Sequence, residues 1–488
     1  MEYKRYYWLN DESRLFLSRG YITETPEQRI KDIANTAEKI LGIDGFAQKF
    51  EDYMARGFYS LSTPVWINFG KQKGLSKYGG GTSAYLGNIR PRGTEISTGG
   101  RADGPVHYAR MYDTTVDVCK QSEARRGACA VYLPVEHNDI HEFLDIGTEG
   151  NPIQNLQYGI TVTDDWMNSM KDGDKDKRKI WAKIIQRRSE FGFPYIMFKD
   201  TSNNNSPYKD LGLEITASNL CSEIQLPTDS YNSFVCCLGS INLLHWDEVQ
   251  KTDAIEIYTQ FLNAVMDEFI LKSKTFQSKL INFDSLESKR LNNVIFRTIK
   301  ERSENASKWL SEYKGYSCLR EGFANTTLMA IAPTKSSSFI HGAVSMGIEP
   351  IKSNYFVKDL AKSKSVYKNP FLECELDKYG LNTEDVWEDI LKKDGSVQHL
   401  DFPTKEVFKS FVEISPKEIV LQAAQRQQYI DQSQSLNLMI DPSIKAKDIN
   451  QLYLYAWEEG VKTLYYQFSQ SSAQAFSRNI LECASCEG

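Results

Sequence analysis

The sequence predicts an α/β fold with one continuous core, because segments typical of strands alternate with segments typical of helices along most of the chain. Strand-like apolar runs lie at 158–163, 194–198, 326–333, 435–440 and 461–468, and helix-like segments lie at 164–173, 179–191, 253–275, 284–313 and 449–461. Such alternation is typical of a sheet covered by helices. The chain shows no internal repeat, no low-complexity tract and no obvious linker.

The composition is that of an ordinary globular protein of 488 residues, with 41% apolar and 25% charged residues. A formal net charge of -6 gives no electrostatic footprint for nucleic acid or an anionic membrane. No run approaches the roughly eighteen apolar residues of a membrane span, and the first residues lack a signal-peptide core. We therefore expect a cytoplasmic protein that binds neither nucleic acid nor membrane. Nine cysteines, an odd number, favour reduced thiols over a disulfide scaffold.

Residues 25–42 predict a helix that packs against the core. Thr25 is a candidate N-cap, Pro26 suits the first helical position, Gln28 can close a capping box, and Gly42 can end the helix. Ile30, Ile33, Ala37 and Leu41 would form its apolar stripe.

The stretch 218–243 contains the strongest chemical signal, the triplet Asn219-x-Cys221-x-Glu223. If residues 219–223 are extended, the three side chains share one face, because strand side chains repeat every second residue. A thiol beside a carboxylate and an amide suits one-electron chemistry better than acyl transfer, which needs a nearby His. The alternative is a buried strand whose Cys is a small hydrophobe, but that strand would also have to bury a carboxylate.

Four segments carry candidate groups for a phosphorylated ligand. Thr63 is a possible hydroxyl donor, although a Thr before Pro is more often a turn residue, and the sequence from 60 to 70 predicts an extended or turn segment. Three glycines end at Gly81 and precede Arg90, but without the spacing of a P-loop. A polar loop holds Gln121 and Arg125, which a solvated turn would also explain. The loop 332–339 enters a helix and can bind an anion through its backbone N–H groups and hydroxyls; its candidates are Thr334, Lys335, Ser336 and Ser337.

Two further pairs stand near the end of the chain. Tyr465 and Tyr466 are adjacent at the end of a predicted strand, where one core and one exposed Tyr would be ordinary, but stacked phenols can pass a hole and a proton. Cys483 and Cys486 form a C-x-x-C on a terminal tail. A zinc-stabilised structural protein is one reading of that pair, but no second pair with matching spacing appears, and a dithiol that re-reduces an internal disulfide explains its position better.

The run NLCSE, the Tyr-Tyr pair and the terminal cysteines resemble the large, catalytic subunit of class I ribonucleotide reductases. The resemblance covers most of the chain from about residue 5. It implies a ten-stranded α/β barrel of the thiyl-radical type, made of two antiparallel-arranged halves with the radical Cys on a loop at the centre. The implied organisation is an N-terminal helical region (1–58), the catalytic barrel (59–470) and a flexible redox tail (471–488).

The resemblance also implies roles for the candidate residues. Cys221 would be the transient thiyl, Glu223 the base on the 3′-hydroxyl and Asn219 a hydrogen bonder to the ribose. Cys236 would be one of two reducing thiols. The implied radical relay is Tyr465 and Tyr466, the implied redox tail pair is Cys483 and Cys486, and the implied substrate contacts are Thr63, Gly81, Thr334, Lys335, Ser336 and Ser337. A dNTP or ATP effector would contact Arg90, Gln121 and Arg125.

The implied partners are a radical-generating small (beta) subunit, thioredoxin or glutaredoxin as reductant, and a second copy of the chain in a homodimer. The metal that generates the radical would belong to the small subunit, so we expect no metal or cofactor bound directly to this chain. The expected activity is reduction of ribonucleoside diphosphates to 2′-deoxyribonucleoside diphosphates for DNA precursor synthesis.

The sequence departs from the family pattern at one important place. Relatives carry the second reducing Cys shortly after the Thr-Pro stretch, whereas residues 74–81 contain no Cys. A helix of the dimer interface, a Gly-rich strand and the N-terminal ATP cone are also missing. Three explanations remain open: Cys237 or Cys119 replaces the lost thiol, the chain is an impaired relative that binds nucleotides without turnover, or the sequence omits segments of a longer chain.

Overall fold

The computed structural model describes residues 6–18, 21–71, 81–118, 127–229, 237–272, 286–315, 318, 320–341, 345–360 and 363–469. Its helices are α1 (Asp11–Ser18), α2 (Pro26–Leu41), α3 (Phe46–Ala55), α4 (Thr63–Asn68), α5 (Pro105–Val118), α6 (Ile140–Phe143), α7 (Asp164–Asp172), α8 (Lys175–Phe191), α9 (Lys199–Asn204), α10 (Trp246–Val249), α11 (Ala254–Lys272), α12 (Leu286–Lys314), α13 (Lys335–His341), α14 (Pro370–Lys378), α15 (Glu384–Lys392), α16 (Pro416–Gln427) and α17 (Ala446–Glu458). Its strands are β1 (Tyr59–Leu61), β2 (Gly81–Tyr85), β3 (Ala128–Pro134), β4 (Gln157–Val162), β5 (Tyr195–Phe198), β6 (Gly239–Ile241), β7 (Tyr355–Leu360), β8 (Ser363–Lys368), β9 (Leu438–Ile440), β10 (Thr463–Leu464) and β11 (Gln467–Ser469).

The main sheet has five strands in the order β10-β5-β4-β3-β2. Strands β2 to β5 are parallel, and β10 pairs with β5 in the antiparallel sense. A second antiparallel pairing joins β1 to β6, while β9 and β11 are parallel. Almost every residue of strands β3, β4 and β5 is buried, so both faces of these strands are covered, as is typical of parallel strands packed between helices.

The N-terminal helices share a core with elements from later in the chain. Residues of α2, α3, β1, α11 and α12 belong to one buried apolar cluster. Helix α2 has the predicted limits, with the Thr25 hydroxyl accepting from the Gln28 N–H and Gly42 in the left-handed region at φ 60°. The capping box is not closed, because the Gln28 side chain donates to Asp32 instead.

Three local expectations are wrong. Residues 63–68 form helix α4 rather than an extended or turn segment, because Pro64 can occupy the first helical turn. The Asn and Ser residues at 202–206 predict a loop from their composition, but the segment is helical up to Asn204 in α9. The apolar run 326–333 makes only an isolated bridge, between Ile331 and Gln434, rather than a regular strand.

Within the described part of the chain, no helix is long and apolar enough to cross a membrane.

Candidate active site

Cys221 lies on a tight turn, not on the extended segment that its flanking residues predict. The Asn219 N–H donates to the Ile224 carbonyl at 2.8 Å, and the Ser222 N–H donates to the Asn219 carbonyl at 3.2 Å. Ser222 at the turn has φ 67°, a left-handed conformation that costs a non-glycine residue of order 1 kcal/mol. The prediction of alternating strand faces is therefore wrong in its geometry.

The turn nevertheless brings Asn219 and Glu223 together. The Asn219 amide oxygen accepts from the Ile224 N–H at 3.1 Å, and its side chain also hydrogen-bonds the Glu223 carboxyl group. The turn thus places residues 219 and 223 on the same side, which we expected from the alternation of side chains along a strand.

Glu223 is buried to 1% exposure and is held by residues 433–435. The Ser433 N–H donates to the Glu223 carbonyl at 2.8 Å, and the Ser435 hydroxyl donates to the Glu223 carboxylate at 3.2 Å and to the Cys221 carbonyl. Burial raises the pKa of Glu223 to about 7, although the hydrogen bonds from its own backbone, Asn219 and Ser435 oppose the shift. At neutral pH this carboxyl group can both accept and release a proton.

The Cys221 thiol is half-buried and lies beside two buried phenols. Burial raises the pKa of Tyr132 and of Tyr195, and the neighbouring Cys221 adds to the shift in both. The Tyr132 hydroxyl lies 2.7 Å from the Ser218 hydroxyl and donates to the Asn219 carbonyl at 3.2 Å, so the phenol supports the base of the turn.

Tyr465 and Tyr466 are both buried, at 0% and 5% exposure, rather than one buried and one exposed. They lie between β10 and β11, where their ring centroids are 4.4 Å apart. Tyr195 on β5 completes the group, with its ring centroid 4.7 Å from Tyr465 and 5.2 Å from Tyr466. Burial, followed by the adjacent Tyr466 phenol, raises the pKa of Tyr195 well above its ordinary value. We call these three residues the tyrosine cluster.

The candidate phosphate loop enters a helix as expected. Helix α13 begins at Lys335, the Thr334 N–H is fixed to the Met346 carbonyl at 3.1 Å, and Ser336 is buried whereas Ser337 is partly exposed. The loop follows the segment at Ile331, whose N–H donates to the Ser433 carbonyl at 3.0 Å. Residues 433–435 therefore contact both the Cys221 turn and Ile331, the residue that leads into the phosphate loop.

Thr63 starts helix α4 directly after β1 and is buried to 2% exposure. Its hydroxyl has no hydrogen-bond partner among the described residues. A buried hydroxyl without a partner costs free energy, so this group is available for a ligand oxygen.

Gly81 and Arg90 lie near the two ends of β2. Gly81 opens β2, and a Cβ at this position would lie 2.4 Å from a Leu220 methyl carbon, so the glycine lets the Cys221 turn approach the strand. Arg90 is exposed in the segment that follows β2.

Several candidates lie outside the described residues: Gln121, Arg125, Cys119, Cys236, Cys483 and Cys486. Among the other cysteines, Cys129 is buried in β3, where burial raises its thiol pKa to about 12, as suits a structural residue. Cys237 precedes β6 and is partly buried against the N-terminal core.

No sequence pattern predicts three residues that build the site: Tyr132, Tyr195 and Ser435. Tyr132 and Tyr195 lie within strand-like runs, where an aromatic residue reads as core. Ser435 has no distinguishing pattern, and its role depends on contacts with residues more than 200 positions earlier.

The fold and the site define an α/β enzyme with a half-buried free thiol on a turn, near a buried carboxyl group and a cluster of tyrosines. A family model described as the ribonucleotide reductase barrel domain matches residues 68–177, 174–279 and 316–467. The solved structure of the Actinobacillus ureae class Id ribonucleotide reductase alpha subunit matches with a TM-score of 0.87 at 46% identity, over 98% of this chain and 99% of that chain. The chain belongs to the ribonucleotide reductase family.

Two curated relatives extend the comparison. The ribonucleoside-diphosphate reductase large subunit of Invertebrate iridescent virus 3 is 28% identical over 621 aligned positions, covering 97% of each chain. The large subunit of Trypanosoma brucei brucei is 27% identical over 616 positions, covering 95% of this chain and 72% of the relative. Both alignments are longer than the 488 residues of this chain, so both relatives carry internal segments that it lacks. The predicted family and the α/β barrel with a helical N-terminal region are confirmed.

Proposed function

We propose that this chain is the catalytic subunit of a class I-type ribonucleotide reductase, which reduces ribonucleoside diphosphates to 2′-deoxyribonucleoside diphosphates. The observation that carries the proposal is the Cys221 turn, with Asn219 and Glu223 beside the thiol and the tyrosine cluster against it. A radical enzyme needs a thiol, a base and a route for a hole in one buried place, and these residues supply all three.

In the proposed reaction, the Cys221 thiyl takes the hydrogen atom from C3′ of the ribose, leaving a C3′ radical and a thiol. Glu223 accepts the proton of the 3′-hydroxyl, and the 2′-hydroxyl leaves as water with a proton from a reducing thiol. The second reducing thiol gives a hydrogen atom to C2′, and the two sulfurs join as a disulfide radical anion. That anion gives its extra electron to the 3′-ketone while Glu223 returns its proton to the 3′-oxygen, which leaves a disulfide and a C3′ radical. Cys221 then returns its hydrogen atom to C3′ and becomes the thiyl again. A carboxyl group with a pKa of about 7 suits the proton exchange at neutral pH.

We assign the tyrosine pair to radical transfer. In each step the acceptor phenoxyl takes one electron and one proton from its neighbour, so a phenol is restored on one side and a phenoxyl appears on the other. Burial of Tyr465 and Tyr466 favours such transfer, because it keeps water and external reductants away from the phenoxyl.

The phosphates of the substrate would be held by Thr334, Lys335, Ser336 and Ser337 at the start of α13, with the Thr63 hydroxyl and the Gly81 backbone as further contacts. The buried Thr63 hydroxyl supports this assignment, since a phosphate oxygen would satisfy it. A dNTP or ATP effector would bind through Arg90, Gln121 and Arg125; the exposure of Arg90 suits contact with a phosphate.

The radical would come from a metal-containing small subunit. A groove of about 740 Å³ between α7, α8 and α17 is the surface we favour for its docking. Ser189 on the groove wall accepts from the Gln467 side chain at 3.1 Å, and Gln467 follows Tyr466. The groove is lined by Met170, Trp181, Ile444 and Leu454, with Lys171 and Lys447 among its charged groups. This lining suits an acidic segment with apolar side chains.

A homodimer is part of the proposal and is supported by helix α5. Its exposed side carries a stripe of apolar residues spaced three and four apart, with Met111 66% exposed and Val118 72% exposed. Tyr108 and Tyr112 belong to the same stripe. A monomer would leave this surface in water, whereas a second copy could cover it.

The proposal also assigns the cysteines that exchange electrons and the compartment in which they do so. Cys236 would be one reducing thiol, and Cys237 or Cys119 the second. Cys483 and Cys486 would re-reduce their disulfide and be reduced in turn by thioredoxin or glutaredoxin, in the cytoplasm.

A single-turnover assay tests this function. The full chain is mixed with a radical-loaded small subunit, a ribonucleoside diphosphate and an effector, without external reductant, and deoxynucleotide per chain is counted. We expect about one product per chain or more, none in Cys221→Ser with nucleotide binding retained, and loss of product in Cys236→Ser. The matched control is Cys129→Ser, which replaces a free thiol fully buried in β3 and should still form product. Turnover in Cys221→Ser, or none in the wild type with a verified partner radical, would refute the proposal.

A further inference from the structure

Arg188 on α8 is a buried cation that the proposed reaction does not use. Its side chain has 0% exposure, and no carboxylate among the described residues lies within ion-pair distance. One of its terminal nitrogens, Nη2, also has no hydrogen-bond partner in the described part of the chain. Burying a charge without an ion-pair partner is costly, even with the guanidinium 5.1 Å from the centroid of the Tyr453 ring, so packing alone does not account for an arginine here.

The hydrogen bonds of Arg188 go to the backbones that carry the tyrosine cluster. A single nitrogen, Nη1, donates to the Pro194 carbonyl at 2.5 Å and to the Tyr465 carbonyl at 2.9 Å. Pro194 immediately precedes Tyr195. One guanidinium nitrogen therefore ties the strand of Tyr195 to the segment of Tyr465.

A second branch of the same network reaches the other side of Tyr466. The Arg188 Nε donates to the Tyr453 hydroxyl at 2.8 Å, and that hydroxyl donates to the Gln467 side-chain oxygen. The Gln467 amide in turn donates to the Ser189 hydroxyl at 3.1 Å. Residues 465 and 467 are thus both fixed to α8, and Tyr466 lies between them.

We propose that Arg188 is a positioning residue for radical transfer, which sets the spacing of Tyr195, Tyr465 and Tyr466 through this backbone network. The inference rests on the proposed function. Arginine suits the task because its planar fork makes several hydrogen bonds in fixed directions, which the single ammonium of lysine cannot reproduce. Transfer of an electron with a proton depends steeply on the separation of the phenols, so a small loss of alignment is costly.

The test compares Arg188→Lys and Tyr453→Phe with a matched control, Arg29→Lys. Tyr453→Phe keeps the ring but cuts the link between Arg188 and Gln467. Arg29 is also fully buried and also donates to three backbone carbonyls, those of Val65, Trp66 and Phe69, but it lies in the N-terminal core. The three variants are mixed with the radical-loaded small subunit, saturating nucleoside diphosphate and effector.

The measurements are the rate at which the small subunit's radical is consumed, the nucleotide dissociation constant and the melting temperature. We expect consumption to slow by roughly 100-fold in Arg188→Lys and roughly 10-fold in Tyr453→Phe, with nucleotide binding unchanged. Arg29→Lys should lower the melting temperature as much as Arg188→Lys does while keeping the wild-type rate.

Wild-type consumption in both Arg188→Lys and Tyr453→Phe would overturn the positioning role and leave the proposed function standing. An equal slowing in Arg29→Lys would also overturn it, since a general loss of stability would then explain the effect. Absence of radical consumption in the wild type would instead refute the proposed function, and the inference with it.

Discussion

The N-terminal core and the core of the main sheet contain similar types of buried residues but differ in function. Each contains a group of packed aromatic rings and a fully buried arginine that donates to backbone carbonyls. In the N-terminal core, Phe50 stacks between Tyr59 and Phe261, and the ring of Phe261 is 4.3 Å from that of Phe50. In the main sheet, the ring centroids of the tyrosine cluster are 4.4 to 5.2 Å apart.

The difference lies in what the hydroxyl groups contact. The Tyr59 hydroxyl donates to the Ala254 carbonyl and the Tyr258 hydroxyl donates to the Ser60 carbonyl, so both phenols are tied to backbone. In the main sheet the Tyr195 and Tyr466 phenols are neighbours, and Cys221 lies beside Tyr195. In the N-terminal core, the hydroxyls are bonded to backbone carbonyls and the rings serve for packing. In the main sheet, the phenols are neighbours of one another, which is the arrangement that we propose for radical transfer.

The largest expected contrast comes from removing one hydroxyl in each core. Tyr466→Phe should lower nucleotide reduction by at least roughly 10³-fold, because phenylalanine cannot form a phenoxyl, while the free energy of unfolding changes by only about 1 kcal/mol. Tyr59→Phe should keep the turnover rate but cost about 1–2 kcal/mol, since it leaves the buried Ala254 carbonyl without that donor. Turnover assays and denaturant unfolding of both variants measure these effects. An equal loss of activity in Tyr466→Phe and Tyr59→Phe would contradict the proposed difference between the two cores.

A cavity in the N-terminal core should lower the free energy of unfolding without lowering the activity of the folded chain. Phe50→Ala removes a fully buried ring that contacts four other aromatic rings, and should lower the free energy of unfolding by about 3–5 kcal/mol. Urea unfolding measures the loss, and single-turnover product per folded chain at low temperature should match the wild type. A drop in product per folded chain would show that this core also shapes the reaction.

The free energy of unfolding should depend on pH through the Glu223 carboxyl group of the site but not through the apolar N-terminal core. The folded pKa of Glu223 is about 7, above its ordinary value of 4.5, so the folded chain retains a proton that the unfolded chain has lost between these two pH values. The free energy of unfolding should therefore fall as pH rises through this window, by up to about 3 kcal/mol in total, and level off above pH 7. Unfolding of the wild type and of Glu223→Gln at pH 5 and pH 8 measures it.

Glu223→Gln should lack this component of the pH dependence and should turn over slowly, whereas Phe50→Ala should retain it at a lower overall stability. An identical pH profile in wild type and Glu223→Gln would mean that the carboxyl group is not the titrating group.

Local signals predicted those parts that depend on neighbours in the sequence. The ends of α2 follow from Thr25, Pro26 and Gly42, whose preferences act within one turn. The alternation of apolar runs and amphipathic helices predicted the α/β class, and NLCSE with the Tyr-Tyr pair predicted the family. The Asn219–Glu223 pairing was also expected, although for a strand rather than a turn.

The class of fold, the family and the candidate thiol, carboxyl and phenol groups could be predicted before folding was known, because they depend on local pattern and residue type. Which distant groups meet could not be predicted in this way. Tertiary packing decided that residues 433–435 hold the Cys221 turn, that burial moves the pKa of Glu223 close to neutrality, and that Tyr195 joins Tyr465 and Tyr466 under the hydrogen bonds of Arg188. Hydrogen bonds across more than 200 residues and the desolvation of a carboxyl group arise only in the folded chain, so no local pattern encodes them.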